Sequence, residues 1–186
     1  MGGQGVLTAA EIIAQACLLQ GFDVKKSELH GMAQRGGSVV THVRFAQLGS
    51  VSAPLPALRT VDLLVGFELI EAVRALDWLS PQADAVLNDL LVFPPSSPST
   101  TSLSREELLD AVKQRARKLV TVDADALARQ AGNLRTAGTV IVGAAAPLLP
   151  ISTENWHRAV QLSIPPGTHS VNLKAFEIGY SHASHA

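Results

Sequence analysis

Val61-Asp62-Leu63-Leu64-Val65, followed by Gly66-Phe67, is a short and nearly continuous apolar run. A strand buried on both faces reads this way, whereas a half-exposed strand alternates. A helix is expected next, over about 68–79. Ala83-Asp84-Ala85-Val86-Leu87 repeats the pattern and stops at Asn88-Asp89. Ser104-Arg105-Glu106-Glu107 then carries the reciprocal N-cap spacing, which opens a helix to about residue 117. A strand over 119–122 and a short helix over 124–131 follow. Short apolar strands alternating with helices specify an α/β fold: a three-layer, Rossmann-like open sheet, mostly parallel. Residues 139–148 are Gly/Ala-rich and fit either a buried helix or a strand. Residues 155–162 and 172–182 read as helices.

Working back toward the start, residues 6–20 have a helical pattern with Thr8, Glu11 and Gln15 on one narrow polar stripe. A short strand is expected at 22–25. Residues 27–37 look too glycine-rich for a stable element. Residues 38–46 alternate, with Val39, Thr41, Val43 and Phe45 on one side and Val40, His42 and Arg44 on the other. With a short antiparallel return at 51–53, this gives a hairpin beside the parallel strands. The whole chain, 1–186, is read as one domain with a Pro/Ser connector at about 93–103.

Met1-Gly2-Gly3-Gln4-Gly5 leads directly into the first helix. A glycine loop at a helix start is an anion cradle, because free N–H groups and the positive end of the helix dipole converge there. In α/β nucleotide-binding folds a buried strand precedes such a loop, and here that first strand is missing. The favoured reading places the true start upstream, with a valine codon read as the initiator. The slot left open is then filled by another chain or left weak. An in-frame strand-coding stretch upstream supports this, and a stop codon counts against it.

Composition narrows the class. Of 186 residues, 47% are apolar and only 4% aromatic, so the core is built from Leu, Val, Ile and Ala. A net charge of −1 without a long basic run gives no reason to expect nucleic-acid or membrane binding. No spanning stretch or signal peptide is visible, so a cytoplasmic location is expected. The single cysteine, Cys17, excludes an internal disulfide and a self-contained iron–sulfur cluster.

Two segments are candidates for chemistry. The loop Gly2, Gly3, Gln4 and Gly5 either binds an anion or lets a helix pack closely. His30, Gln34, Arg35, Gly36 and Gly37 bring an imidazole, an amide and a guanidinium between glycines, a set that can hydrogen-bond an anion from several sides. The plainer alternative is an Arg35 ion pair and glycine turns. Cys17 reads as a small core residue. His157, His169, His182 and His185 have no metal-ligand spacing, and the tail after Ser181 reads as frayed. Asp84, Asp89, Asp123 and Asp125 fall near strand ends and suit either ligand contacts or caps. Asp23 is the nearest acidic residue for a nucleotide ribose, but it lies at the start of its strand.

Three blocks together resemble the gamma-type domain of the 2-oxoacid:ferredoxin oxidoreductases. They are Gly2-Gly3-Gln4-Gly5-Val6, the stretch from Glu28 through His30-Gly31-Met32-Ala33-Gln34-Arg35-Gly36-Gly37 to Val39, and Asn172-Leu173-Lys174-Ala175-Phe176-Glu177-Ile178-Gly179. The His-Gly-Met-Ala-Gln form is similar to the indolepyruvate branch, in its small beta subunit. The resemblance implies a chain that bears no cofactor. Thiamine diphosphate, magnesium and iron–sulfur clusters are then expected on a large alpha partner, with coenzyme A as co-substrate and ferredoxin as acceptor. It implies no activity alone, an active-site-facing loop at His30–Gly37, an exposed apolar face, and self-association when isolated. A gamma subunit acting on pyruvate or 2-oxoglutarate, a Rossmann-like NAD- or FAD-binding oxidoreductase, and a pure scaffold subunit are the competing readings.

Overall fold

The computed structural model describes residues 5–30, 38–93 and 104–185. Strands β3 (Val61–Gly66), β4 (Leu79–Asn88) and β5 (Lys118–Val122) form a parallel sheet in that order. Leu63 pairs with Asp84, and Asp84 with Lys118. Consecutive residues of β4 face opposite layers. Ala85 and Leu87 pack with Leu69 and Ala72 of α2 (Leu69–Arg74) and with Leu108, Leu109 and Val112 of α3 (Arg105–Lys113). Val86 instead joins Val120 and Val122 in the larger core. That core also takes residues from α1 (Val6–Leu19), α4 (Ala124–Ala131), α5 (Ala137–Ala145), α6 (Thr153–Ser163) and α7 (His169–Ser184). Helices therefore cover both faces of the parallel sheet, as near-continuous apolar strands require.

The Gly/Ala-rich run left open by the sequence is helix α5, continued by a 3-10 turn at Ala146–Leu148. It crosses α7 at backbone contact. A Cβ on Gly143 would stand 2.1 Å from Phe176 O, and one on Gly179 would stand 2.0 Å from Val140 O. Beside the crossing, Thr139 Oγ1 donates to Asn172 Oδ1 at 2.7 Å in the buried core. Asn172, Phe176 and Gly179 of the late sequence block are thus helix-packing residues. Cys17 is buried in α1, and burial pushes its thiol up to about 12, which suits a core residue.

Strands β1 (Asp23–His30) and β2 (Val39–Ala46) form an antiparallel hairpin, a separate sheet among the described residues. The polar stripe of α1 docks it. Lys26 Nζ lies 2.6 Å from Glu11 Oε2 and 3.1 Å from Glu28 Oε1. The Lys26 hydrogen bond holds the Glu11 carboxyl below its usual range.

Several expectations are corrected. β1 runs to His30 rather than stopping at residue 25, because Ser27–His30 precede the glycines and pair residue by residue with β2. Residues 51–53 make no strand. Val51 N is held by Asp23 Oδ2 at 2.6 Å and Ala53 O by Arg44 Nη1 at 2.7 Å, so side chains replace a ladder. α2 ends at Arg74, and a 3-10 turn at Leu76–Trp78 leads into β4, since Pro81 and the extended residue before it cannot continue a helix. α3 stops at Lys113, because Arg117 N already donates to Ala83 O beside the sheet. The tail stays helical through Ser184, fixed by His182 Nε2 against Thr121 O at 3.0 Å. Of the connector expected at 93–103, only Phe93 is among the described residues.

Candidate functional site at the carboxyl edge of the sheet

In open α/β sheets ligands collect outside the carboxyl ends of the strands. Here that edge is held by two buried side chains. Glu68, 2% exposed, caps α2 with both carboxylate oxygens, accepting from Ile70 N at 3.0 Å and Glu71 N at 2.9 Å. Val92 N donates to the same carboxylate at 3.2 Å, so one group joins the segments after β3 and β4. Asn88 at the end of β4 reaches both ways. Its Nδ2 donates to Phe67 O at 3.3 Å, and its Oδ1 accepts from Ala124 N at 3.0 Å. All three strand ends are thereby locked into one rim.

The hairpin strands reach this rim. Ser38 Oγ donates to the Glu71 carboxylate in the first turn of α2, and His30 pairs in register with Val39. His30 and Ser38 therefore stand beside the carboxyl edge. His30 closes β1. Gln34, Arg35, Gly36 and Gly37 lie outside the described residues, as do Gly2, Gly3 and Gln4.

Gly5 is described. It caps α1 in the left-handed region, φ 81°, where glycine fits without strain. Its position packs against Gly138 in the first turn of α5; a Cβ on Gly5 would lie 4.0 Å from Gly138 Cα. Neither α1 nor α5 has a side-chain cap among the described residues, but α5 continues a 3-10 turn at Leu134–Thr136, whose Leu134 carbonyl takes the Ala137 N–H, so only the start of α1 is left without a described partner. A helix start of the α1 kind attracts anions.

The other sequence candidates have structural partners. Asp84 is held by Arg117 through two hydrogen bonds of 2.9 and 2.6 Å, Asp89 pairs with Arg105, and Asp123 caps α4 through Ala126 N at 2.9 Å. Asp125 sits in the first turn of α4. Asp23 is engaged by Val51 N. His157 pairs with Glu177, and His169 and His185 bond backbone carbonyls. Among the described residues no three His, Cys, Asp or Glu side chains converge as metal ligands. No described helix is long and apolar enough to cross a membrane. Large exposed apolar side chains are spread over the hairpin (Leu29, Val40), the β2–β3 connection (Leu48, Leu55, Leu58) and helix surfaces (Leu18, Leu162). Sequence reasoning missed Glu68, Glu71 and Asn88 as rim residues. The available signal was a carboxylate and an amide immediately after apolar strands.

The family model for pyruvate ferredoxin/flavodoxin oxidoreductase matches residues 1–182. The chain belongs to this family. Indolepyruvate oxidoreductase subunit IorB of Pyrococcus horikoshii is 36% identical over 189 residues, covering 98% of this chain and 92% of the relative. The common gamma subunit of the pyruvate/ketoisovalerate oxidoreductases of Pyrococcus furiosus is 29% identical over 150 residues, 78% of this chain and 72% of the relative. The fold is that of a keto/oxoacid ferredoxin oxidoreductase gamma subunit from Geobacter sulfurreducens, with TM-score 0.73 and 21% identity over 100% of this chain and 95% of that one. It also matches part of a 2-oxoglutarate:ferredoxin oxidoreductase from Magnetococcus marinus, solved with 2-oxoglutarate, coenzyme A and succinyl-CoA bound. There the TM-score is 0.72 at 18% identity, over 100% of this chain but only 30% of the longer one.

Proposed function

We propose that this oxidoreductase-family chain is the small subunit of an indolepyruvate (aryl-2-oxoacid):ferredoxin oxidoreductase. The carrying observation is near full-length similarity to IorB at 36% identity, against 25–29% for the pyruvate/ketoisovalerate gamma subunits. The donor set here does not fit an iron–sulfur cluster. An iron–sulfur cluster needs several thiolates, and the one cysteine is buried with its thiol pushed up to about 12. In this reading the clusters, together with thiamine diphosphate and magnesium, belong to a larger partner subunit, which passes electrons to ferredoxin and forms an acyl-CoA.

The contribution of this chain is then shape and charge at the shared site. The segment anchored by His30 and Ser38 faces the partner. Arg35 offers a bidentate contact to a carboxylate or phosphate, His30 and Gln34 orient it, and Gly36 and Gly37 allow close approach. The glycine loop, Gly2, Gly3, Gln4 and Gly5, adds an anion-binding helix start. Arg35→Ala in the reconstituted complex is expected to lower kcat/KM on the order of a hundredfold, with the mass and melting temperature of the complex unchanged. Unchanged turnover removes Arg35 from the site.

A further inference from the structure

Residues 47–60 join β2 to β3 without helix or strand. Connections of that length inside a compact domain are uncommon and usually functional. This one is nonetheless held in place by hydrogen bonds. Asp23 Oδ2 accepts from Val51 N at 2.6 Å, and Arg44 Nη1 donates to Ala53 O at 2.7 Å and to Leu55 O at 3.2 Å. Arg59 N donates to Asp77 O at 3.1 Å. Arg59 itself takes φ 62°, the one non-glycine residue in the left-handed region among the described residues. Such backbone strain persists only where the surrounding structure enforces it.

What this ordered loop displays is apolar. Leu48 is 93% exposed, Leu58 60% and Leu55 46%. From Phe45 to Leu58 there is no Asp, Glu, Lys, Arg or His, although charged residues make up 17% of the chain. A surface loop without charge has the composition of an interface core, from which charged residues are depleted. The exposed apolar side chains continue along the hairpin. β2 runs from Val39, beside the carboxyl edge, to Ala46, where the loop begins. At the rim end, Leu29 and Val40 pair across the hairpin and both are exposed.

We propose that the 47–58 loop docks on an uncharged, apolar surface of the larger partner subunit, with Leu48 and Leu58 as its anchors. The proposal rests on the small-subunit reading above. Continuity selects this occupant over a second copy of the chain. Leu29 and Val40 adjoin His30 and Ser38, the residues turned toward the larger subunit in that reading, and the hairpin extends the same surface to Leu48. The absence of charge sets the chemistry of the opposing face, since a charge buried against this loop would stand unpaired. A loop already ordered by Asp23, Arg44 and Asp77 also loses little freedom on docking, which lowers the entropic cost of association.

The test is binding of the purified chain to the purified larger subunit, read by analytical ultracentrifugation over a range of concentrations. Leu48→Glu combined with Leu58→Glu is expected to weaken association about a hundredfold. The melting temperature of the isolated chain is expected to stay unchanged, because both side chains are exposed. Leu162→Glu, an exposed α6 position outside the hairpin and the loop, is the control and is expected to bind as the parent does. Parental binding by the double variant overturns the docking surface and leaves the small-subunit reading standing, whereas no binding by the parent overturns both. A dimer of the isolated chain that the double substitution dissolves assigns the loop to a second copy and also overturns the proposal. If the double variant does not stay folded, oxidative footprinting of the parent replaces it. Protection of Leu48 and Leu58 in the complex supports docking, and equal labelling with and without the larger subunit overturns it.

Discussion

Gly179→Val is expected to reduce stability by about 3 kcal/mol or more, at the upper end of overpacking costs. The added Cβ would meet Val140 O at 2.0 Å, and the reciprocal contact at Gly143 is 2.1 Å from Phe176 O. Both obstacles are backbone carbonyls and cannot rotate away. Relief requires α5 and α7 to move apart, which opens the core around Val140, Ala144, Ala175 and Phe176, all fully buried. Gly179→Ala is expected to lose at least about 1 kcal/mol by the same mechanism. Gly167→Ala is the control, because nothing lies within 4 Å of its added Cβ. Urea unfolding of the three variants checks the ranking. A Gly179→Ala protein as stable as its parent contradicts the close crossing.

Glu68→Ala is the second large effect, an expected loss of about 2–4 kcal/mol from a lost cap and stranded buried N–H groups. Its carboxylate accepts from Ile70 N, Glu71 N and Val92 N, so removal frees the start of α2 and the segment after β4 together. Because Ser38 bonds Glu71 in the first turn of that helix, the start of β2 loses its anchor too. Glu68→Gln keeps one acceptor oxygen and is expected to lose about half as much. Thermal unfolding distinguishes the two variants. Equal stability of Glu68→Ala and the parent removes Glu68 as the rim tie.

The sequence displayed the sheet well because its strands are buried on both faces. Val61–Val65 and Ala83–Leu87 carry that burial in their own composition, and β3 and β4 lie where those runs fall. The hairpin was harder. Ser27, Glu28 and His30 are polar, and Ser27–His30 become strand through pairing with Val39–His42 of β2. The Gly/Ala run of α5 was ambiguous because small residues signal close approach without naming the partner. That partner is α7, where Gly143 meets Phe176 O and Gly179 in turn meets Val140 O. At the rim, Asp89 and Asp123 drew attention as acids near strand ends, yet the residues holding the edge together are Glu68 and Asn88. Their role depends on which loops meet in space. Family membership was legible from three short blocks, of which the late one turns out to encode helix packing.

The decisive measurement is ferredoxin reduction driven by indolepyruvate and coenzyme A, made on this chain purified alone and on the complex co-purified with its large subunit. The isolated chain is expected to show no turnover, and the brown, thiamine-dependent complex is expected to reduce ferredoxin. Ferredoxin reduction by the isolated chain, or an unchanged rate in the complex after this subunit is removed, contradicts its assignment as a site-shaping subunit.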